Sequence, residues 1–362
     1  MERVVYLLGA GFSAPLGLPV MSNFRMKSQD MYFEDPEKYA HFKEVFDTIR
    51  HMSISKNYYE ANLFNVEEIL SILEMGEYLE GRNLKDPFLK YIADVIEYYT
   101  PEIPAHVDRL PGNWTDWLFG TNTKWHSYAM FVSSILNLRF IPQTGASRGL
   151  YKEIMCSSNH LPRTRYSIIT LNYDLVPEKV CGFINRNYQV EREVAFVKEI
   201  GTEGIYPMLP GGRFTASLAK LHGSIDSGEI IPPTWSKGVN RNISSAWKLA
   251  YQLLADATHI RIIGYSLPTA DAYVKYLLKS AVIQDPHIKR IDVICRDSDG
   301  SVKKRYDNFI KFDYYKFINA DVTKYLDAHR QQYGHSSQVN STDGFVINKL
   351  EDSHEAFVDA NS

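Results

Sequence analysis

Five short apolar runs punctuate the chain: VVYLL at 4–8, YSIITL at 166–171, SLAKL at 217–221, HIRIIG at 259–264 and RIDVIC at 290–295. Each is rich in Val, Ile or Leu, and several lack the strict alternation of a strand with one wet face. Strands apolar on both sides are covered on both sides, so the pattern predicts a parallel sheet between two helical layers. YYKFINA at 314–320 is a candidate sixth strand. Between these runs the apolar spacing turns helical. In 244–257, Trp247, Ala250, Leu253 and Leu254 share one face, and in 269–283 so do Tyr273, Tyr276, Leu277 and Ala281.

The gap between the first two runs far exceeds an ordinary crossover connection. It contains three stretches with helical spacing, at 65–80, 86–100 and 125–140. The expected fold is therefore α/β: a Rossmann-like parallel sheet with helices on both faces, plus an inserted α-helical module. The expected division is 1–24 with 151–330 as the nucleotide-binding sheet domain, 25–150 as the inserted module, and 331–362 as a polar C-terminal tail. Within that tail, GFVINKLEDSHEAFV has enough apolar positions to form one more element or to dock on a partner.

Composition narrows the class. The 362 residues are 44% hydrophobic and 23% charged with a net charge of −3, so no basic field points to direct nucleic-acid binding. The three cysteines, Cys156, Cys181 and Cys295, are far apart and form no C-x-x-C pair, which fits a reducing cytoplasm better than a disulfide framework. No apolar run reaches the roughly 18 residues of a membrane helix, and the opening run is too short and too structured to read as a secretory leader.

Candidate chemistry sits where the apolar runs end. Gly9-Ala10-Gly11-Phe12-Ser13 follows the first run, and such a turn lets a backbone and a helix N-terminus approach a phosphate. A plain strand-to-helix corner is the alternative. Ala14 replaces the third glycine of the dinucleotide fingerprint. The ribose-binding acid expected about twenty residues on would fall in QDMYFEDPEKY, which no strand precedes. That argues against an ordinary dehydrogenase. The second run ends in Thr170-Leu171-Asn172-Tyr173-Asp174, polar groups that either face a crevice or cap the next helix. His222 follows the third run, placed for general-base chemistry at near-neutral pH. Gly264-Tyr265-Ser266 follows the fourth, with Asp271 further on. CRDSD follows the fifth, suited to an adenosine edge.

Taken together, GAGFS at 9–13, TLNYD at 170–174, His222-Gly223-Ser224 and Gly264-Tyr265-Ser266 resemble, in order and type, the motifs of the sirtuin-like NAD-binding family. The resemblance covers about 1–25 and 165–300. It implies that Gly9, Ala10, Gly11 and Ser13 hold the NAD+ pyrophosphate and that Thr170, Gly264 and Ser266 complete the cofactor-binding set. Asn172, Asp174 and His222 become the catalytic candidates, with His222 as base. Deacetylase sirtuins follow that histidine with a zinc ribbon of paired cysteines. Here GSIDSGEIIPPTWSKG carries none, so no zinc is expected and the acyl-lysine cleft is in question. The long insertion and GYSLPTAD are similar to the NADase branch of prokaryotic antiphage systems. That branch implies hydrolysis of NAD+ to nicotinamide and ADP-ribose in abortive infection, a homo-oligomer, and a separate regulatory partner such as a HerA-type ATPase. The alternatives are an NAD-dependent deacylase or ADP-ribosyltransferase, and a non-catalytic NAD or ADP-ribose sensor.

Overall fold

The computed structural model describes residues 1–81, 83, 85–103, 123–142, 154–158, 163–200, 205, 208–209, 213–230, 241–269, 271–283, 287–332, 345–346 and 349–361. Its centre is a six-stranded sheet formed by the five predicted runs and the candidate sixth: β1 Glu2–Leu8, β2 Thr164–Thr170, β3 Ser217–Lys220, β4 His259–Ile263, β5 Arg290–Ile294 and β6 Tyr315–Ile318. The spatial order is β6-β5-β4-β1-β2-β3, and every neighbouring pair is parallel. The chain builds outward from β1 on one side, then returns to lay β4 against its other edge. This reversal opens a crevice beyond the carboxyl ends of β1 and β4.

Both faces of the sheet are covered, which explains the unbroken apolar runs. Val5, Leu7, Ile169, Ile260, Ile262 and Val293 bury one face under helices α8 (Arg241–Asp256), α9 (Ala272–Ala281) and α10 (Ser301–Phe309). Val4, Tyr6, Leu8, Ile168, Ile263 and Ile294 bury the other among residues of α6 (Thr123–Ile135), α7 (Val176–Asn187), α11 (Val322–Gln331) and α12 (Leu350–Asn361).

One expectation about local structure changes. The stretch predicted as a helix over 125–140 stops at Ile135, and Leu138–Pro142 is a strand of a separate four-stranded sheet. Its helical part, α6, lies on the main sheet: the Phe131 ring meets the Tyr6 ring edge-on with centroids 5.1 Å apart. Helices α2 (Phe24–Glu34), α3 (Phe42–Met52), α4 (Val66–Glu80) and α5 (Lys85–Tyr99) pack around Phe24, Phe42, Phe88 and Tyr91, but that cluster is continuous with the sheet's own core. Aromatic side chains long enough to bridge layers make one core of both.

Within the expected tail, the further element that its apolar positions allowed is present. Leu350–Asn361 is helical, with Leu350, His354, Phe357 and Val358 buried. A salt bridge explains its docking. Arg261, in the middle of β4 and 1% exposed, donates Nη1 to Glu351 Oε1 at 2.9 Å and Nη2 to Oε2 at 2.7 Å. Tyr6 accepts a further bond from Nη1 at 2.7 Å, and Tyr166 donates to Glu351 at 2.9 Å. A guanidinium inside a sheet needs such a partner, and α12 brings it. Among the described residues, no helix is long and apolar enough to cross a membrane.

Candidate nucleotide-binding crevice

The glycines after β1 and β4 interlock. Gly9 donates its amide to Ile263 O at 3.0 Å, and Gly11 donates to Gly264 O at 2.9 Å. A Cβ on Gly9 would stand 2.7 Å from Gly264 O and the Tyr265 backbone; one on Gly11 would stand 2.8 Å from Gly264 O. Gly264 has φ +65°, and a Cβ there would lie 2.4 Å from the Phe12 amide nitrogen. Contact of one turn's backbone with the other's is therefore sufficient reason for all three glycines. Gly9, expected to grip pyrophosphate, faces β4 and does not line the crevice. The short helix α1 (Ala10–Ser13) ends at Ser13: Ala14–Leu16 is a 3-10 turn containing Pro15, closed by Gly17 at φ +105°. Residues 14–24 then run along the crevice as a wall.

The end of β2 is fastened to this turn. Thr170, another expected binding residue, does not line the crevice; its hydroxyl donates to Leu8 O at 3.4 Å and accepts the Asn172 amide at 3.1 Å. It shapes the loop that carries Asn172. The Asn172 Nδ2 group donates to Gly9 O at 3.0 Å and to Ser13 Oγ at 3.2 Å. Because Gly9 O can only accept, the amide orientation is fixed, and the Asn172 carbonyl oxygen accepts nothing from the described residues.

Ser13 also acts on the Asp174 carboxyl, favouring its ionised form. Ser13, expected to bind phosphate, thus lies between two catalytic candidates, with its oxygen accepting from Asn172. Asp174 accepts the Val176 amide at 3.0 Å just ahead of α7, but the N-cap position is Leu175, so neither Asn172 nor Asp174 caps that helix. Burial pushes the Asp174 carboxyl above its usual range, opposed by the Lys220 ammonium, which donates to Asp174 O at 2.5 Å and to Glu178 at 3.3 Å. His222 is 2% exposed at the end of β3, its ring 5.9 Å from that of Tyr173. Trp247 Nε1 of α8 donates to Leu221 O at 2.9 Å and steadies the residue before it.

On the far side, Ser266 O accepts from Arg305 at 3.0 Å and Tyr265 O accepts from Tyr306 at 2.7 Å. Leu267 follows at φ +51°, a conformation costing a branched residue about 1 kcal/mol or more. It is held there by full burial.

These pieces border one crevice of about 1050 Å³, lined by Ala10, Gly11, Ser13, Asn172, Asp174, His222, Gly264 and Ser266, all but two of the expected site residues. That volume is at the upper end of ligand sites, about 300–1,000 Å³. Cys295, Arg296 and Ser298 after β5 also reach it, in the segment flagged as an adenosine edge. Sequence reasoning missed Asp321 and Thr323 after β6, although a polar pair following a candidate strand was the available signal. It also missed Val66, Ile92, Ile96 and Lys124, which no local pattern marks. Burial holds the Cys295 thiol up at about 11. Among the described residues, no group of three or more His, Cys, Asp or Glu is placed to hold a metal ion.

No protein-family model matches the chain, and no curated protein matches it by sequence. Solved structures of Sir2 proteins are similar at a low level. A Sir2Tm chain bound to a propionylated peptide has 10% identity and a TM-score of 0.33, with 92% of this chain and 93% of that one covered. A Sir2 chain bound to an acetylated peptide has 12% identity and a TM-score of 0.36, over 92% and 93%. A Sir2 chain with a p53 peptide and NAD+ has 11% identity and a TM-score of 0.36, over 92% and 93%. Likeness of this degree assigns no activity.

Proposed function

We propose that the protein is an NAD+ glycohydrolase that cleaves NAD+ to nicotinamide and ADP-ribose. The observation that carries the proposal is the convergence of Ser13, Asn172, Asp174 and His222, from three strand ends, on one crevice at the switch point of the sheet. Such a crevice is where doubly wound sheets take dinucleotides. The interlocked turns leave Ala10 and Gly11 on its wall, where backbone can approach a pyrophosphate, with Gly264 and Ser266 toward the adenosine half.

Cleavage breaks the bond between ribose C1′ and the pyridinium nitrogen. The electron pair leaves with neutral nicotinamide, positive charge develops on the ribose, water adds at C1′, and one proton is released. Asn172, clamped through Nδ2, offers its carbonyl oxygen to orient the ribose hydroxyl or the water. His222 takes the proton, directly or through a ribose hydroxyl. Gly9 O and Ser13 hold Asn172 in place, and the Asp174 carboxylate favours the developing positive charge. Every group invoked belongs to this chain.

The resemblance of its motifs further supports action as an NAD-depleting effector in prokaryotic antiphage defence, as a cytoplasmic homo-oligomer working with a HerA-type ATPase. The test incubates the full chain with NAD+, alone and with that partner, and separates the products chromatographically. Nicotinamide and ADP-ribose are expected, and Asn172→Ala and His222→Ala should each lower turnover by about 100-fold or more with melting unchanged. Undiminished turnover in both variants refutes the assignment. O-acyl-ADP-ribose formed from an acyl-lysine peptide would instead establish the deacylase alternative, and binding without turnover the sensor.

A further inference from the structure

Asp271 sits at the N-cap position of α9, where aspartate ordinarily accepts a bond from the first helical turn. It makes no such bond. The carboxylate is turned inward, and Tyr265 donates its hydroxyl to Oδ2 at 2.6 Å. The residue is 3% exposed, and Oδ1, fully buried, accepts nothing from any described residue. Lys275, one turn on in α9, is directed elsewhere, donating to Pro268 O at 2.8 Å and Thr269 O at 3.4 Å. Yet Asp271 lines the crevice beside Ser266. A buried carboxylate oxygen without a donor is costly, and one bordering a ligand cleft is explained by a donor on the ligand.

We infer that Asp271 is the ribose acid of this site, accepting from the adenosine-ribose hydroxyls of the dinucleotide and excluding a 2′-phosphate. In doubly wound sheets the acid that binds this hydroxyl arrives from the end of the second strand. Here β2 leads into Thr170 and Asn172, and the next acid, Asp174, is engaged by the Val176 amide. The other crevice acid, Asp321, has a side chain 51% exposed and faces Arg296 at 4.0 Å. Asp271 therefore supplies from β4, across the switch point, the group that β2 lacks. A vicinal diol can give a proton to Oδ1 while Tyr265 holds Oδ2. A 2′-phosphate would bring like charge against a buried carboxylate and offer it no donor.

This inference rests on the NAD+ reading, and the test separates the two. The full chain is titrated calorimetrically with ADP-ribose and with its 2′-phosphorylated form, so no turnover is needed. Wild type should bind ADP-ribose at least about 100-fold more tightly, and Asp271→Asn should cut that ratio about tenfold or more while melting as wild type does. Tyr265→Phe, which frees the carboxylate but keeps it, should weaken ADP-ribose several-fold. Comparable wild-type affinity for the two ligands overturns the inference even if the variants fail to fold. So does a ratio unmoved by Asp271→Asn. If wild type binds neither ligand, the NAD+ reading itself falls, and this inference with it.

Discussion

Replacing Gly264 by alanine tests the interlock at the mouth of the crevice. Two costs add. The residue sits at φ +65°, where an L side chain costs about 1–2 kcal/mol. Its new Cβ would also lie 2.4 Å from the Phe12 nitrogen and 2.5 Å from the Gly11 carbonyl carbon. Both are backbone atoms, so nothing flexible can yield; separating the two turns is an overpacking cost of about 1–3 kcal/mol. Gly228 provides the control, at φ +67° with nothing within 4 Å of where an added Cβ would stand. Gly228→Ala should therefore cost about 1–2 kcal/mol and Gly264→Ala about 2–5 kcal/mol. The assay is urea unfolding followed in parallel by tryptophan fluorescence and far-UV circular dichroism, with coincident curves required before free energies are compared. A difference between the variants below about 0.5 kcal/mol would refute the claim that the two turns meet backbone to backbone.

Two further outcomes follow from the docked C-terminal helix. Glu351→Gln leaves the buried Arg261 guanidinium without its anion and should cost about 2–4 kcal/mol, whereas Asp359→Asn, which removes an exposed partner of Lys316, should fall within about 0.5 kcal/mol by the same urea assay. Burial pulls His354 down to about 4 and His329 to about 3 from an ordinary 6.5, so the unfolded chain binds more protons than the folded one in that interval; stability is full above about pH 6.5 and falls as pH drops toward 4, seen as a declining melting temperature. A melting temperature flat from pH 7 to pH 4.5 would refute the neutral, buried state of both rings.

Much of the sheet was legible because burial on both faces writes itself locally. VVYLL, YSIITL and RIDVIC lack alternation for the same reason that helices cover β1, β2 and β5 on either side. That Asn172, Asp174, His222 and Ser266 border one crevice was legible because polar groups directly after such runs must emerge at one edge of a parallel sheet. The hydrogen-bond partners of Gly9, Ser13 and Thr170 were not legible. Each depends on a hydrogen-bond partner from another strand: Ile263 for Gly9, Asn172 for Ser13, and Leu8 for Thr170. The docking of α12 was hidden for a like reason. Arg261 interrupts an apolar run, and its partner Glu351 is 90 positions away.

The sequence by itself determined which segments are strands, that they pair in parallel between helices, and which polar residues gather at the carboxyl edge. Periodicity and apolar content record how each residue is buried, and that is a local property. Only the tertiary structure decided that β4 lies against β1, that the glycines of one turn make room for the other, and that Asp271 faces the crevice rather than capping its helix. Those facts depend on strand order, which joins residues about 250 positions apart and is set by the packing of whole layers.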